Sequence, residues 1–318
     1  MTIPSLGWLP DYPDFRDITP ESNEVSRRLK EFNQPPLADM LAKVGVGGAT
    51  RRRSSSSAAA AKAGSGKGSA KASADLRSWC SPVENQGSLG SCTAHAGVGM
   101  VEYFERRAFG RHIEASRLFL YKATRNLLHW SGDTGAFLRS TMQAMTLFGV
   151  PPEEYWPYVE ADYEKEPSAF CYSFAQSYQA LTYYRLDPPG TRSDSLLDPI
   201  RTYLSRGLPL MFGFTVYSSI NQASPGNGGE IPFPVKGDKM SGGHAVMAVG
   251  YDDKRTIQNA ARDAAPTTGA LLIRNSWGEG WGDKGYGWLP YAYVERGLAS
   301  DWWSLLNNEW VNTSNFGD

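Results

Sequence analysis

"LLIRNSWGEGWGDKGYGWLPY", residues 271–291, changes texture partway along. Its opening apolar residues read as the end of a buried strand, and a dense run of glycines follows. Asn275 therefore stands where a strand runs into a glycine-rich loop. A side-chain oxygen in that place can hold a histidine ring. Trp277, two residues on, can cover such a bond and keep water away. Taken alone, the stretch is a turn with tryptophans. It becomes chemistry only if a histidine and a nucleophile occur elsewhere in the chain.

The chain has four histidines and three cysteines. His112 and His129 sit in polar stretches that flank helices and have no special surroundings. His95 follows Cys92 by about one helical turn and is expected to point into the packed interior. His244 differs. In "SGGHAVMAVGYDD", residues 241–253, it opens an apolar strand just after Gly242 and Gly243, so a rigid element holds it and the glycines leave room for a ligand. Among the cysteines, Cys92 stands out in "ENQGSLGSCTAHAG", residues 84–97, behind two glycines and a serine at the start of a helix-like run. Free N–H groups and the positive end of the helix dipole push a thiol there toward thiolate. Cys80 and Cys171 carry no functional case, and whether they pair is open at this point.

Taken together, "PVENQGSLGSCTAHA", "GGHAVMAVGYDD" and "IRNSWGEGWGDKGYGWLPY" resemble the papain-like cysteine peptidases, in the bacterial form without the family's usual disulfides. The order Gln–Cys, then His, then Asn is that of the family, and the likeness runs from about Asp75 to Trp303. The resemblance implies Cys92 as nucleophile, His244 as its base and later acid, and Asn275 as the group that orients the imidazole. It implies Gln86 as a side-chain donor to the oxyanion, and Gly135, Gly243 and Trp277 as residues bordering the substrate. It also implies a two-lobed fold with the site in the cleft between a helical and a β-rich lobe. No cofactor and no metal belong to this chemistry, and the partner is a peptide or protein substrate.

The chain departs from the pattern in places. Leu89 stands where the local signature has a cysteine, and Thr93 where it has an aromatic residue. Asn275 lies further from Cys92 than the usual ~130–150 residues, and "KRTIQNAARDAAPTTG", residues 254–269, reads as an enlarged surface hairpin that accounts for it. Gly213, Gly242 and Gly243 suggest an open or shallow pocket. Two alternatives stand beside an endopeptidase: a catalytically silent relative that binds peptides or partners, and an aminopeptidase or acyl-transferase variant.

Composition and patterning set the frame. The chain of 318 residues has a net charge of −1, which gives no global field for nucleic acid or membrane. The start shows no secretory signal and no run approaches the ~20 apolar residues of a membrane span, so the expectation is a cytoplasmic protein, or one exported without a cleavable signal. Helical periodicity comes first and short β-leaning runs later, which argues α+β. "CYSFAQSYQALTYYRL", residues 171–186, is ambiguous between helix and strand. The expected units are an N-terminal pro-like segment (1–44), a flexible Gly/Ala/Ser/basic linker (45–74) and a catalytic domain (75–318), with its helical lobe at about 75–185 and its β-rich lobe at about 186–318. The basic linker alone hints at nucleic acid, and a solvated tether is the better reading. The N-terminal segment, with Trp8, Tyr12 and Phe15, is expected to lie across or beside the cleft at residues of about 5 to 20 and limit access to it.

Overall fold

The computed structural model describes residues 5–31, 36, 37, 39 and 71–307; most of the expected linker lies outside them. The longest helix, α2 (Cys92–Phe109), begins at the nucleophile candidate and stops at Gly110 in the left-handed conformation. Fourteen of its residues are buried, on every face, so it is the axis of the helical lobe rather than a surface helix. Around it pack α3 (Arg117–Leu127), capped by the Ser116 hydroxyl accepting from the Phe119 amide, and α4 (Leu138–Leu147). A short α1 (Asn23–Glu31) precedes them in the chain, and its Val25 and Leu29 are buried in the core.

The β-rich lobe is a seven-stranded sheet with the order β2-β7-β3-β4-β5-β6 and β1 added on β4. Here β1 is Ser73–Asp75, β2 Ala180–Arg185, β3 Leu210–Tyr217, β4 Met240–Ile257, β5 Thr267–Arg274, β6 Tyr286–Pro290 and β7 Ala299–Asn307. Every named pair is antiparallel. That agrees with the α+β expectation. The 18-residue β4 is the spine: its first half pairs with β3, its second half with β5.

Two local outcomes refine the reading. Residues 73–74, assigned to the linker by composition, form a strand with Asp75, because Ala74 pairs with Tyr251 on the sheet and the Lys71 carbonyl accepts from the Tyr251 hydroxyl. The ambiguous stretch is both things in turn: helix α5 at Ala169–Ala175, a 3₁₀ turn at Gln176–Tyr178, then strand β2. Two further helices are α6 (Leu197–Ser205) and α7 (Tyr291–Glu295). The expected enlarged hairpin is the connection between Ile257 of β4 and Thr267 of β5. Cys80, Cys92 and Cys171 are all free thiols, and all are buried. No helix among the described residues is long and apolar enough to cross a membrane.

Candidate active site

Each element delivers one group. Helix α2 presents Cys92 at its first turn. Strand β4 presents His244, paired with Phe214 of β3 just before the stretch that pairs with β5. Strand β5 ends at Arg274, so Asn275 is the first residue of the loop beyond it. The loop before α2 is tied across the cleft to that second loop through its backbone. The Gln86 amide donates to the Ser276 carbonyl at 2.9 Å, the Gly278 amide donates to the Glu84 carbonyl at 3.0 Å, and Asn85 bridges Trp277. The two lobes therefore meet in a short β-like seam beside the site, and Gln86 and Asn275 cannot drift independently.

From that seam a continuous hydrogen-bonded chain runs through the side chains. His244 Nε2 meets Asn275 Oδ1 at 2.7 Å. The Ser276 amide donates to the same oxygen at 2.8 Å, and the Ser276 hydroxyl donates to Gln86 Oε1 at 2.6 Å. With its oxygen so occupied, the Gln86 amide must present its NH₂ to the cleft side. The Tyr158 hydroxyl donates to the Gln86 carbonyl at 2.9 Å and meets the Ser91 hydroxyl at 2.7 Å, just before Cys92. The Trp277 ring stacks on His244, with centroids 4.7 Å apart and planes 27° from parallel. The indole thus covers the His244–Asn275 bond on one face. His244 Nδ1 is buried and has no hydrogen-bond partner.

Cys92 is completely buried. Its sulfur accepts from the Ala245 amide at 3.4 Å and is also faced by the Gly7 amide. The helix start argues for a low thiol pKa; the closed cleft reverses that. Burial pushes the Cys92 thiol up to about 11, against the opposing pull of these amides. Burial likewise pulls His244 down to about 4, while its bond to Asn275 acts the other way. Burial thus opposes charge on both the thiol and the imidazole.

Residues 5–9 run along this cleft. Gln86 Nε2 donates to the Ser5 carbonyl at 2.8 Å. The Gly7 carbonyl accepts from the Ala136 amide at 2.8 Å, the Leu9 amide donates to the Ala136 carbonyl, and the Trp8 amide donates to the Gly243 carbonyl, each of these last two at 3.2 Å. Trp8 and Ala136 form a parallel bridge. A Cβ on Gly135 would come within 2.2 Å of the Gly7 carbonyl oxygen, so that glycine gives the segment room. The Gly135 amide itself is spent on the Tyr121 hydroxyl, and the backbone bonds to residues 7 and 9 are made by Ala136. Gly213 and Gly243 likewise face the Trp8 ring, and Gly242 faces Leu6. The expected open pocket is a slot with an indole in it. Trp8 is buried, while Tyr12 and Phe15 are 86% and 90% exposed and do not take part.

Beyond Trp8 the segment is held by charge. Arg139 of α4 pairs with Asp11 and Asp17. Arg185 of β2 reaches Asp17, Asp187 and Asp301. Sequence reasoning did not single out these residues, nor Ser276 or Tyr158. Ser276 was findable, since it adjoins Asn275 in the same motif; the ion pairs join positions far apart and leave no local signal. His95 is buried one turn along α2 from Cys92, with its ring edge-on to Tyr158. His112 lies with Glu102 and Glu114, whose donor atoms come within 4.8 Å of one another and could hold a metal ion, but Glu102 already accepts from Ser81 and the Ala115 amide.

With this geometry in place, comparison with known proteins gives the class. Residues 70–302 match the family model described as papain family cysteine protease. An uncharacterized peptidase C1-like protein of Acanthamoeba polyphaga mimivirus is 32% identical over 225 residues, which cover 70% of this chain and 68% of that one. Cathepsin K of Gallus gallus is 27% identical over 68% of this chain, and the match spans 58% of its length. Among solved structures, xylellain, a cysteine protease from Xylella fastidiosa, superposes with a TM-score of 0.65 at 29% identity and covers 95% of both chains. The chain belongs to the papain family of cysteine proteases, and it is a papain-like cysteine peptidase.

Proposed function

We propose that the protein hydrolyses peptide bonds through an acyl-thioenzyme on Cys92, and that its N-terminal segment holds it in check. On this reading His244 takes the proton of the Cys92 thiol as the cleft opens and returns it to the leaving amine. Asn275 orients the ring, and Ser276 orients the Gln86 amide so that it donates to the oxyanion together with the Cys92 N–H. Opening also restores water to both groups. Relief of desolvation then moves the thiol down and the imidazole up, toward the charged pair that attacks.

The observation that carries the occlusion is the 2.8 Å bond from Gln86 Nε2 to the Ser5 carbonyl, because the donor assigned to the oxyanion is already taken by the chain itself. The sulfur, meanwhile, is faced by the Gly7 N–H, so the segment lies over the thiol itself. The test is alkylation of the full chain by an irreversible thiol-directed epoxide, with the labelled residue mapped by mass spectrometry, alongside hydrolysis of a fluorogenic peptide. Slow labelling confined to Cys92, faster in a Trp8→Ala chain, supports the reading. Equal rates in the two chains remove the occlusion, and a Cys92→Ala chain that still cleaves removes the nucleophile.

A further inference from the structure

The slot that holds Trp8 has an uncommon floor. Its walls are the bare backbones of Gly213 and Gly243, where an added Cβ would come within 1.9 and 2.5 Å of Trp8 atoms. Such walls leave a narrow gap suited to a flat ring. At the bottom lies Asp301, wholly buried at 0% exposure. Its Oδ2 accepts from the indole Nε1 of Trp8 at 3.1 Å. Its Oδ1 is held from behind, by Trp303 Nε1 at 2.6 Å and by Arg185 at 3.3 Å.

The carboxylate is fixed in that direction. Asp301 has a φ of 66°, a left-handed backbone conformation that is uncommon outside glycine and that aspartate tolerates better than most. Asp187 holds it there, accepting from the Asp301 and Trp302 amides at 2.8 and 3.0 Å. One oxygen therefore faces inward with two donors, and the other faces the slot with one donor that belongs to a removable segment. The slot opens beside the nucleophile: Trp8 is bonded to the residue preceding His244, and Gly7 faces Cys92.

We propose that Asp301 is a specificity-determining residue, selecting peptide substrates that place a flat side chain with a terminal N–H donor in this slot, tryptophan being the protein residue that fits best. The inference rests on the peptidase reading above. When Trp8 leaves, Oδ2 loses its only donor from the slot side. A substrate indole replaces it. A ring of the same shape without the N–H leaves a buried carboxylate oxygen unpaired, and sites built around such an acceptor reject the analogue strongly.

The experiment uses the full chain and two series of fluorogenic peptides. They differ only in carrying tryptophan or 3-benzothienylalanine, in which sulfur replaces the indole N–H, at one of the first three positions before the cleaved bond. The readout is the ratio of kcat/KM values on the same enzyme, which cancels the fraction of chain that is open. At one position tryptophan is expected to exceed its isostere by roughly ten- to a hundredfold. In Asp301→Asn the amide oxygen is kept by the two donors behind it, so the NH₂ faces the slot and the ratio falls to about one or below. A ratio near one at all three positions in the unaltered chain overturns the selectivity alone, and needs no variant to fold. A high ratio that survives in Asp301→Asn overturns it too, by moving the recognition elsewhere. No turnover of any peptide, by the full chain or by a Trp8→Ala chain freed of its own indole, defeats the peptidase reading instead.

Discussion

The cleft contains two hydrogen-bonded assemblies made of opposite materials. The one proposed above to be catalytic, His244–Asn275–Ser276–Gln86, contains no carboxylate or guanidinium, and its bonds join two loops already stitched together by backbone pairing. The one that anchors the N-terminal segment is ionic, with Arg139 and Arg185 set among Asp11, Asp17, Asp187 and Asp301. A neutral chain of short bonds keeps its geometry over a wide range of conditions. A buried ionic cluster is different: losing one partner strands the others, at about 3–5 kcal/mol. The same cleft thus combines a fixed constellation with a segment anchored by two guanidinium groups shared among four carboxyl groups.

The sharpest way to break the comparison is at the fixed side. Cys92→Ala is expected to lower kcat/KM by more than about 10⁴-fold, since covalent nucleophiles act as a unit with their base. Gln86→Ala is expected to lower kcat by about 10²–10³, the usual loss for one oxyanion donor. Because Gln86 also bonds the Ser5 carbonyl, the same substitution should raise the rate at which the epoxide labels Cys92. A Gln86→Ala chain with unchanged kcat would detach that residue from the oxyanion.

On the conditional side the expected changes are gains. Trp8→Ala removes a buried ring worth about 3 kcal/mol, so the labelling rate of Cys92 in the full chain should rise by about 10²-fold, and peptide turnover with it. Arg139→Ala breaks two ion pairs and a bond to the Tyr12 carbonyl further along the segment, and leaves Trp8 in place. A rise of about tenfold is expected there, smaller because Trp8 still binds. If Arg139→Ala left labelling unchanged while Trp8→Ala raised it, the ionic cluster would hold the fold and not the cover.

The two assemblies also differ in how far the sequence discloses them. Cys92, His244 and Asn275 could be found because each stands at an element boundary that glycines announce, and because the strand or helix behind it follows from local periodicity. Ser276 and Trp277 come with Asn275. The cover has no such address. Trp8 and Asp301 are 293 positions apart, and Arg139 and Asp17 are 122 apart. The glycines at 213 and 243 showed that a wall lacked side chains, but not that an indole stands in the space. Strand β1 was hidden for a related reason: Ser73 and Ala74 have no strand character of their own and are extended because β4 offers an edge.

The smallest effect probes the junction of the two assemblies by pH. Burial raises the Asp301 carboxyl from its ordinary value to about 7, against the pull of Arg185. The folded chain then keeps a proton that the unfolded chain releases near pH 4. Asp301's contribution to stability is fully present below about pH 4, declines as pH rises, and is lost by about pH 7. The buried imidazoles run the other way. His244, near 4, and His95, near 3, contribute stability that is present above pH 6.5 and lost as pH falls through those values. The thermal midpoint of the unaltered chain mixes these opposing slopes, so the informative quantity is a difference. The midpoint of Asp301→Asn minus that of the unaltered chain should become more positive from pH 4 to pH 7 and level off above, as measured by calorimetry at matched ionic strength. A difference that stays flat across that window would mean that Asp301 is ionised throughout. The floor of the slot would then be a fixed negative charge balanced by Arg185, and the cover would be insensitive to pH at that point.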